Sequence, residues 1–409
     1  MNNINELLAQ AIAARDTADW SLLNQCLLSL TSDNSNYPET VEYQEDLLEL
    51  ALLIFEHGDF HSRWEVAKIF NRLGSVAIPS LIEILSDDTL EDELRWYAVR
   101  ILGELKNEQA IPALISLIQT DDSEELRSMA SSALGQLGGK AILSLRDLLA
   151  SEDTRLLATQ ALCYIRNKET IEPLLSVAFD SQVAVRSAAI EALSSFHEPR
   201  VIAVLLRSLD DESAQVRRTA VTGLSYRRDL HNSELDLVAL LQPKLYDGDL
   251  GVRNAAAVSL SRIGDDAAAH HLYQLLVSQQ APVQLQIETI RALLWVGTIS
   301  GLEYLQQALD IIKSQTLCEQ IVTVLGRVQQ PLIDKAADIL LEMLRQQHPA
   351  CSFNSVRSAI ALSLGQLGRI DAVEPLTVLL ADDNTQVRLH ALAALKNLAP
   401  EKQWNLAVF

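Results

Sequence analysis

A thirteen-residue phrase, V-R-x-x-A-x-x-A-L-x-x-L-G, recurs along the chain and narrows what it can fold into more than any other feature. It reads as LRSMASSALGQLG from Leu126, VRNAAAVSLSRIG from Val252 and VRSAIALSLGQLG from Val356. Its apolar positions fall three and four apart, which places them on one face of a helix. With the Arg as position zero, and the Leu seven residues later as a check (Phe70 in the first register), the phrase starts eleven times. The registers are Arg63, Arg95, Arg127, Arg155, Arg186, Arg217, Arg253, Gln286, Cys318, Arg357 and Arg388, nine of them with Arg. Successive registers stand about 32 residues apart on average, room for two short helices and two turns.

A first helix precedes many of the phrases, as in AIPSLIEIL from Ala77, AIPALISLI from Ala110 and AVEPLTVLL from Ala372. Proline stands early in each, where a missing amide hydrogen costs least. One helix pair has apolar stripes it cannot bury alone, so neighbours must stack to close a core. The predicted fold is therefore an all-α solenoid, a right-handed superhelix of about eleven helix pairs. Leu and Ala dominate a composition that is 48% hydrophobic but only 5% aromatic, which favours helices over strands. Three segments are expected: an acidic helical cap over 1–60, repeats over 61–399 and a tail over 400–409. The cap is expected to hold two amphipathic helices, INELLAQAIAARD and EYQEDLLELALLIFEHG. Trp404 and Phe409 of the tail are expected to cover the last repeat.

The net charge of −21 argues against nucleic-acid or anionic-membrane binding, which needs a basic surface. Residues 1–93 hold 18 Asp and Glu against 4 Lys and Arg, so two thirds of that charge lies in the first quarter. The start shows no basic segment followed by an apolar core, so no secretory signal is expected. The longest uncharged stretch, Ala267 to Ile287, holds five Gln and two His and is too polar for a membrane span. Four sparse cysteines suit a reducing, cytoplasmic setting.

The A-[IV]-P-x-L first helices and V-R-x-x-A second helices resemble the short HEAT repeats of cyanobacterial bilin-lyase (E/Z) type, over Ser62 to about Ala399. Such repeats serve lyase subunits, phycobilisome-degradation factors and adaptor proteins alike. The opening DWSLLNQCLLSL resembles the cap of cyanobacterial HEAT proteins associated with A-type iron–sulfur carriers. The resemblance implies a scaffold whose partner is such a carrier, or a chromophore-handling subunit acting on a phycobiliprotein. No bilin-holding motif is legible, and GxGxxG, P-loop, HExxH and GxSxG are absent from the sequence. No resident cofactor is expected, beyond a cluster or metal shared with a partner.

Three sets of residues stand out. Asp precedes the register residue by six in Asp121/Arg127, Asp180/Arg186, Asp211/Arg217, Asp247/Arg253 and Asp382/Arg388, and the resemblance implies a structural ladder joining each Asp to the Arg of the preceding repeat. Positions +1 and +5 of the second helices are expected to face outward on the concave side. They hold Trp64 with Lys68 and Trp96 with Arg100, and Arg291 with Trp295 is a related set in the eighth register. Trp and Arg are enriched at binding hot spots. Finally, Cys318 takes the Arg slot of the ninth register and Cys351 the Asp slot of the tenth, so a ladder would make them neighbours, with His348 as a third possible soft ligand. The His270-His271 pair and the basic string from Arg217 to Arg228 are expected to be surface features.

Overall fold

The computed structural model describes residues 2–31, 41–230, 235–402 and 404. Every regular element among them is helical. The chain opens with α1 (Asn2–Asp16), α2 (Trp20–Leu30), α3 (Val41–His57) and α4 (Phe60–Leu73). Ten pairs follow: α5 (Ile78–Ser86) with α6 (Asp92–Leu105), α7 (Ile111–Thr120) with α8 (Glu124–Leu137), α9 (Ile142–Leu148) with α10 (Glu152–Tyr164), and α11 (Ile171–Val177) with α12 (Val183–Leu193). Next come α13 (Pro199–Ser208) with α14 (Ala214–Ser225), α15 (Leu237–Leu241) with α16 (Leu250–Ile263), and α17 (Asp266–Leu276) with α18 (Val283–Val296). The last are α19 (Ile299–Ile311) with α20 (Gln315–Leu325), α21 (Ile333–Arg345) with α22 (Asn354–Leu367), and α23 (Val373–Leu379) with α24 (Thr385–Leu398).

All eleven phrases are second helices, and in each the register residue is the fourth of its helix, from Arg63 in α4 to Arg388 in α24. The shared position follows from the Asp-rich turn in front. Where Asp occupies the slot six before the register residue, its carboxylate accepts the backbone amide two residues on, as in Ser123 to Asp121, Gln182 to Asp180 and Asn384 to Asp382, each at 2.8 Å. That turn fixes where the next helix can begin. Proline at the first turn of α5 and α7 removes an amide that would be unpaired anyway.

The chain divides into two compact units, Met1–Phe196 and His197–Phe409. In the first, the +7 leucines Leu102, Leu134, Leu162 and Leu193 are fully buried; in the second, Leu224, Leu260, Leu325, Leu364 and Leu395 are. Second helices approach one another closely where position +8 is Gly. A Cβ built on Gly103 would stand 3.0 Å from the Cβ of Ala133, and one on Gly365 would stand 2.8 Å from that of Ala394. The small residue at +6 of the following helix completes the contact, which explains why the phrase keeps Ala at +6 rather than a larger apolar residue.

Three helices, rather than the two expected, precede α4. The segment after Asp19, whose side chain accepts the Leu22 amide at 3.0 Å, forms α2 and pairs with α1. Helix α3 packs against α4 as a first helix does against its second, so repeat geometry starts upstream of the first phrase. The run Phe60–Ser86 is long and apolar enough to cross a membrane by length and composition, but it holds the successive helices α4 and α5 with their apolar faces packed in the stack. At the other end the Trp404 indole donates to the Ala399 carbonyl at 2.9 Å and lines a cleft with Ile370, Val373 and Val378. Phe409 lies outside the described residues.

Candidate protein-binding face

The ladder has two strands of bonds. Within a repeat, the register side chain donates to the backbone carbonyl six residues earlier: Arg186 to Asp180 and Arg217 to Asp211 at 2.8 Å, Arg388 to Asp382 at 2.7 Å. Arg253 does the same to Asp247. Between repeats, the guanidinium reaches the carboxylate that begins the next second helix. Arg95 pairs with Asp121, Arg155 with Asp180 at 2.8 Å, Arg217 with Asp247 at 2.7 Å and Arg357 with Asp382 at 2.6 Å. The hydrogen bonds from Arg217 and Arg357 hold Asp247 and Asp382 below the usual carboxylate range. Arg127 has no Asp ahead of it, because that slot is Leu149; it donates instead to the carbonyls of Ile118 at 2.8 Å and Asp153 at 3.1 Å. These groups form a periodic row between helices. They do not converge on a pocket, the arrangement acid–base chemistry requires, and their bonds tie each second helix to its own turn and to the next.

On the outward face of α4 and α6 the aromatic residues come together. Phe60, 63% exposed, stacks on Trp64 with centroids 6.4 Å apart, and Trp96 meets Tyr97 edge-on at 5.0 Å. The Arg100 guanidinium lies 4.0 Å over the Trp64 ring and 6.0 Å from that of Trp96. This differs from the pairing expected from spacing, in which each Trp meets the cation on its own helix. Lys68 turns aside to Glu65 at 2.8 Å, and Arg100 bridges both rings while bonding Glu104 at 3.0 Å. A flat guanidinium stacks on indole better than a compact ammonium does, which accounts for the exchange. Phe60 had no place in the sequence argument because it precedes the register; its signal is the Asp59 cap, which accepts the Ser62 amide at 2.8 Å and sets Phe60 at the helix start.

The eighth-register set does not repeat this arrangement. Trp295 is 60% exposed, but Arg291 is held by Glu288 at 2.7 Å, one turn back along α18, and makes no ring contact among the described residues. In the cysteine set no disulfide is formed. Cys318 and Cys351 are free thiols; Cys318 Sγ donates to the Ile312 carbonyl at 3.4 Å and Cys351 Sγ to that of Met343 at 3.6 Å. His348 is engaged by Asp310 at 3.1 Å and by the Ala350 amide at 3.2 Å. No group of three metal-ligating side chains forms among the described residues. Burial pushes the Cys351 thiol up to about 11 and raises that of Cys318, the reverse of what a reactive or metal-binding thiolate needs.

His270 meets the Tyr304 hydroxyl at 3.1 Å and Gln274 at 2.9 Å, an exposed polar cluster between α17 and α19. The basic string holds a buried surprise. Arg227, 2% exposed, makes a two-pronged bond to Asp229 at 2.9 and 2.8 Å rather than lying in a solvated turn.

HEAT-repeat models match residues 78–157, 142–225 and 208–291, over half of the chain, and a phycobilisome-lyase HEAT-like repeat matches residues 356–382. The chain belongs to the HEAT-repeat family. Two curated relatives are bilin biosynthesis proteins PecE. That of Mastigocladus laminosus is 30% identical over 139 residues, 32% of this HEAT chain and 51% of the relative. That of Nostoc sp. is 31% identical over 201 residues, 49% of this chain and 65% of the relative. The alignments thus span between half and two thirds of those relatives. Among solved structures, the karyopherin Kap121p aligns with a TM-score of 0.56 at 12% identity, over 93% of this chain and 48% of its own. Kap95p in its RanGDP complex aligns at 0.55 and 14%, over 98% and 61%. At such identities the likeness is one of fold.

Proposed function

We propose that this HEAT chain is a non-enzymatic cytoplasmic scaffold that binds protein partners on its second-helix face, with Phe60, Trp64, Trp96 and Arg100 as a principal contact. The observation that carries this reading is the Arg100 guanidinium set over Trp64 and near Trp96 beside an exposed Phe60. Such a cluster is ordered before binding, so a partner that covers it gains apolar burial without first immobilising the rings. The resemblance of the α2 segment makes an A-type iron–sulfur carrier the first partner to try, with any cluster belonging to that partner.

A second reading, a bilin lyase or chromophore-handling subunit acting on phycobiliproteins, is favoured by the two PecE relatives. The two readings separate in one experiment. The purified chain is titrated calorimetrically with an A-type carrier and with an apo-phycobiliprotein, and the latter mixture is also given bilin and read for covalent colour. Binding without colour, weakened by about 2 kcal/mol or more in a Trp64→Ala/Trp96→Ala variant, is the expected result. Covalent colour above the rate without the protein would establish the lyase reading instead. Binding unchanged in the double variant would move the contact elsewhere.

A further inference from the structure

Two clefts meet in the unit Met1–Phe196, away from the aromatic cluster. One, of about 990 Å³, crosses α8, α10 and α12 and is lined by Ser128, Ser132, Tyr164, Ala188 and Ala192, with the Glu191 carboxylate on its α12 side, away from the cationic end. The other, of about 720 Å³, opens at the C-terminal ends of α6, α8 and α10, where Lys106, Arg166 and Lys168 line it beside the Gly138-Gly139 turn. Ser132, Tyr164, Ile165 and Arg166 line both, so the two clefts are one continuous groove.

Its mouth is cationic in a chain whose net charge is −21. Lys106, Arg166 and Lys168 are all exposed, and among the described residues none is paired with a carboxylate. Helix carbonyl ends attract cations, and this accounts for Lys106 at the end of α6. The three helix ends here carry only about half a charge each, so they offset roughly half of the three full charges and leave the mouth net positive. Tyr164, 69% exposed, stands where the cationic mouth meets the small-residue floor.

The shape selects the class of occupant. Small molecules are held by enclosure, whereas this groove runs open across successive second helices. Three helices packed about 8–10 Å apart span roughly 16–20 Å, the length of about five or six residues of extended peptide. Hydroxyls and alanines on the floor let a backbone approach, the tyrosine ring offers a surface to one apolar side chain, and the cations await carboxylates. We propose that this groove docks an acidic, extended segment of a protein partner, its carboxylates on Lys106, Arg166 and Lys168 and an apolar side chain against Tyr164. The inference rests on the reading of the chain as a protein-binding scaffold and adds a second, charge-selective contact to it.

The probe is a fluorescein-labelled peptide of alternating glutamate and leucine, followed by anisotropy on the full chain. Wild type is expected to bind it. Lys106→Glu/Arg166→Glu/Lys168→Glu should weaken binding at least tenfold, while Arg146→Glu/Lys313→Glu/Lys396→Glu, with the same change in net charge, changes it less than twofold. Tyr164→Ala should weaken it without altering the salt dependence, and circular dichroism confirms that each variant is folded. Equal losses in the two triple variants, or no binding by wild type, would overturn the proposal. Complete displacement by millimolar inorganic phosphate would make the groove a small-anion site, and self-association abolished by the first triple variant would make a second copy the occupant; either result rejects the peptide. The Trp64→Ala/Trp96→Ala variant should bind this peptide normally, so failure here and failure of the aromatic contact are separate outcomes.

Discussion

Arg217 and Asp247, thirty residues apart, face each other across two repeats and share two hydrogen bonds, Nε to Oδ2 at 2.8 Å and Nη2 to Oδ1 at 2.7 Å. The same guanidinium also donates to the Asp211 carbonyl at 2.8 Å, so one side chain ties its own turn to the start of the next second helix. Planar, two-pronged geometry of this kind is available to Arg and not to Lys.

The first prediction concerns that bond. Arg217→Ala leaves a mostly buried carboxylate unpaired and should cost about 2–3 kcal/mol, at or below the low end for buried pairs because Arg217 remains partly exposed. Asp247→Ala in the Arg217→Ala background should cost much less than Asp247→Ala alone. Denaturant unfolding of the four proteins gives the coupling energy, and additive losses would show that the two groups act independently.

The second is the pH dependence of the same rung. Arg217 depresses the native pKa of Asp247, so the stabilisation is complete above the unfolded carboxylate value of about 3.9 and is lost as pH falls through the lower native value. The stability difference between wild type and Arg217→Ala should therefore be constant from pH 7 to 5 and shrink below about pH 4. A difference that does not change on acidification would show that the charge on Asp247 plays no part.

Close helix contact supplies the third. Gly365→Ala places a methyl 2.8 Å from the Ala394 Cβ and should destabilise by about 1–3 kcal/mol despite the better helix propensity of Ala. Adding Ala394→Gly should recover part of the loss. Thermal unfolding reads both, and a neutral Gly365→Ala would mean that the helices separate without cost.

The fourth tests what the two cysteines stand in for. Cys318 occupies a position filled elsewhere by Arg, and its Sγ points to the carbonyl six residues back as those Arg groups do. Cys318→Arg alone should destabilise, because it introduces a buried charge with no partner. With Cys351→Asp added, the carboxylate of the next turn is restored, and the pair should recover about 1–3 kcal/mol relative to the sum of the single changes. Addition of zinc to the wild-type chain should leave its melting temperature unchanged, since the thiols are held protonated by burial.

The phrase beginning at each register residue determined the all-helical stack by itself, because apolar spacing of three and four is a local property that survives in every repeat. Arg63 to Arg388 are legible for the same reason: each stands at the fourth residue of a helix whose start is fixed by a turn a few residues away. The partners of long side chains were not legible. Lys68 and Arg100 occupy the same kind of position on neighbouring helices, yet Lys68 turns to Glu65 and Arg100 reaches across to the Trp64 ring of α4. The surroundings of the cysteine set were not legible either: His348 meets Asp310 of α19, and each thiol donates to a backbone carbonyl six or eight residues back. The groove at Tyr164 carries no sequence signal at all, since Ser and Ala are ordinary helix residues and Lys106 and Lys168 are separated by a whole repeat and more. Period and turn chemistry are written along the chain; which side chains meet across repeats is set only when one helix pair is laid on the next.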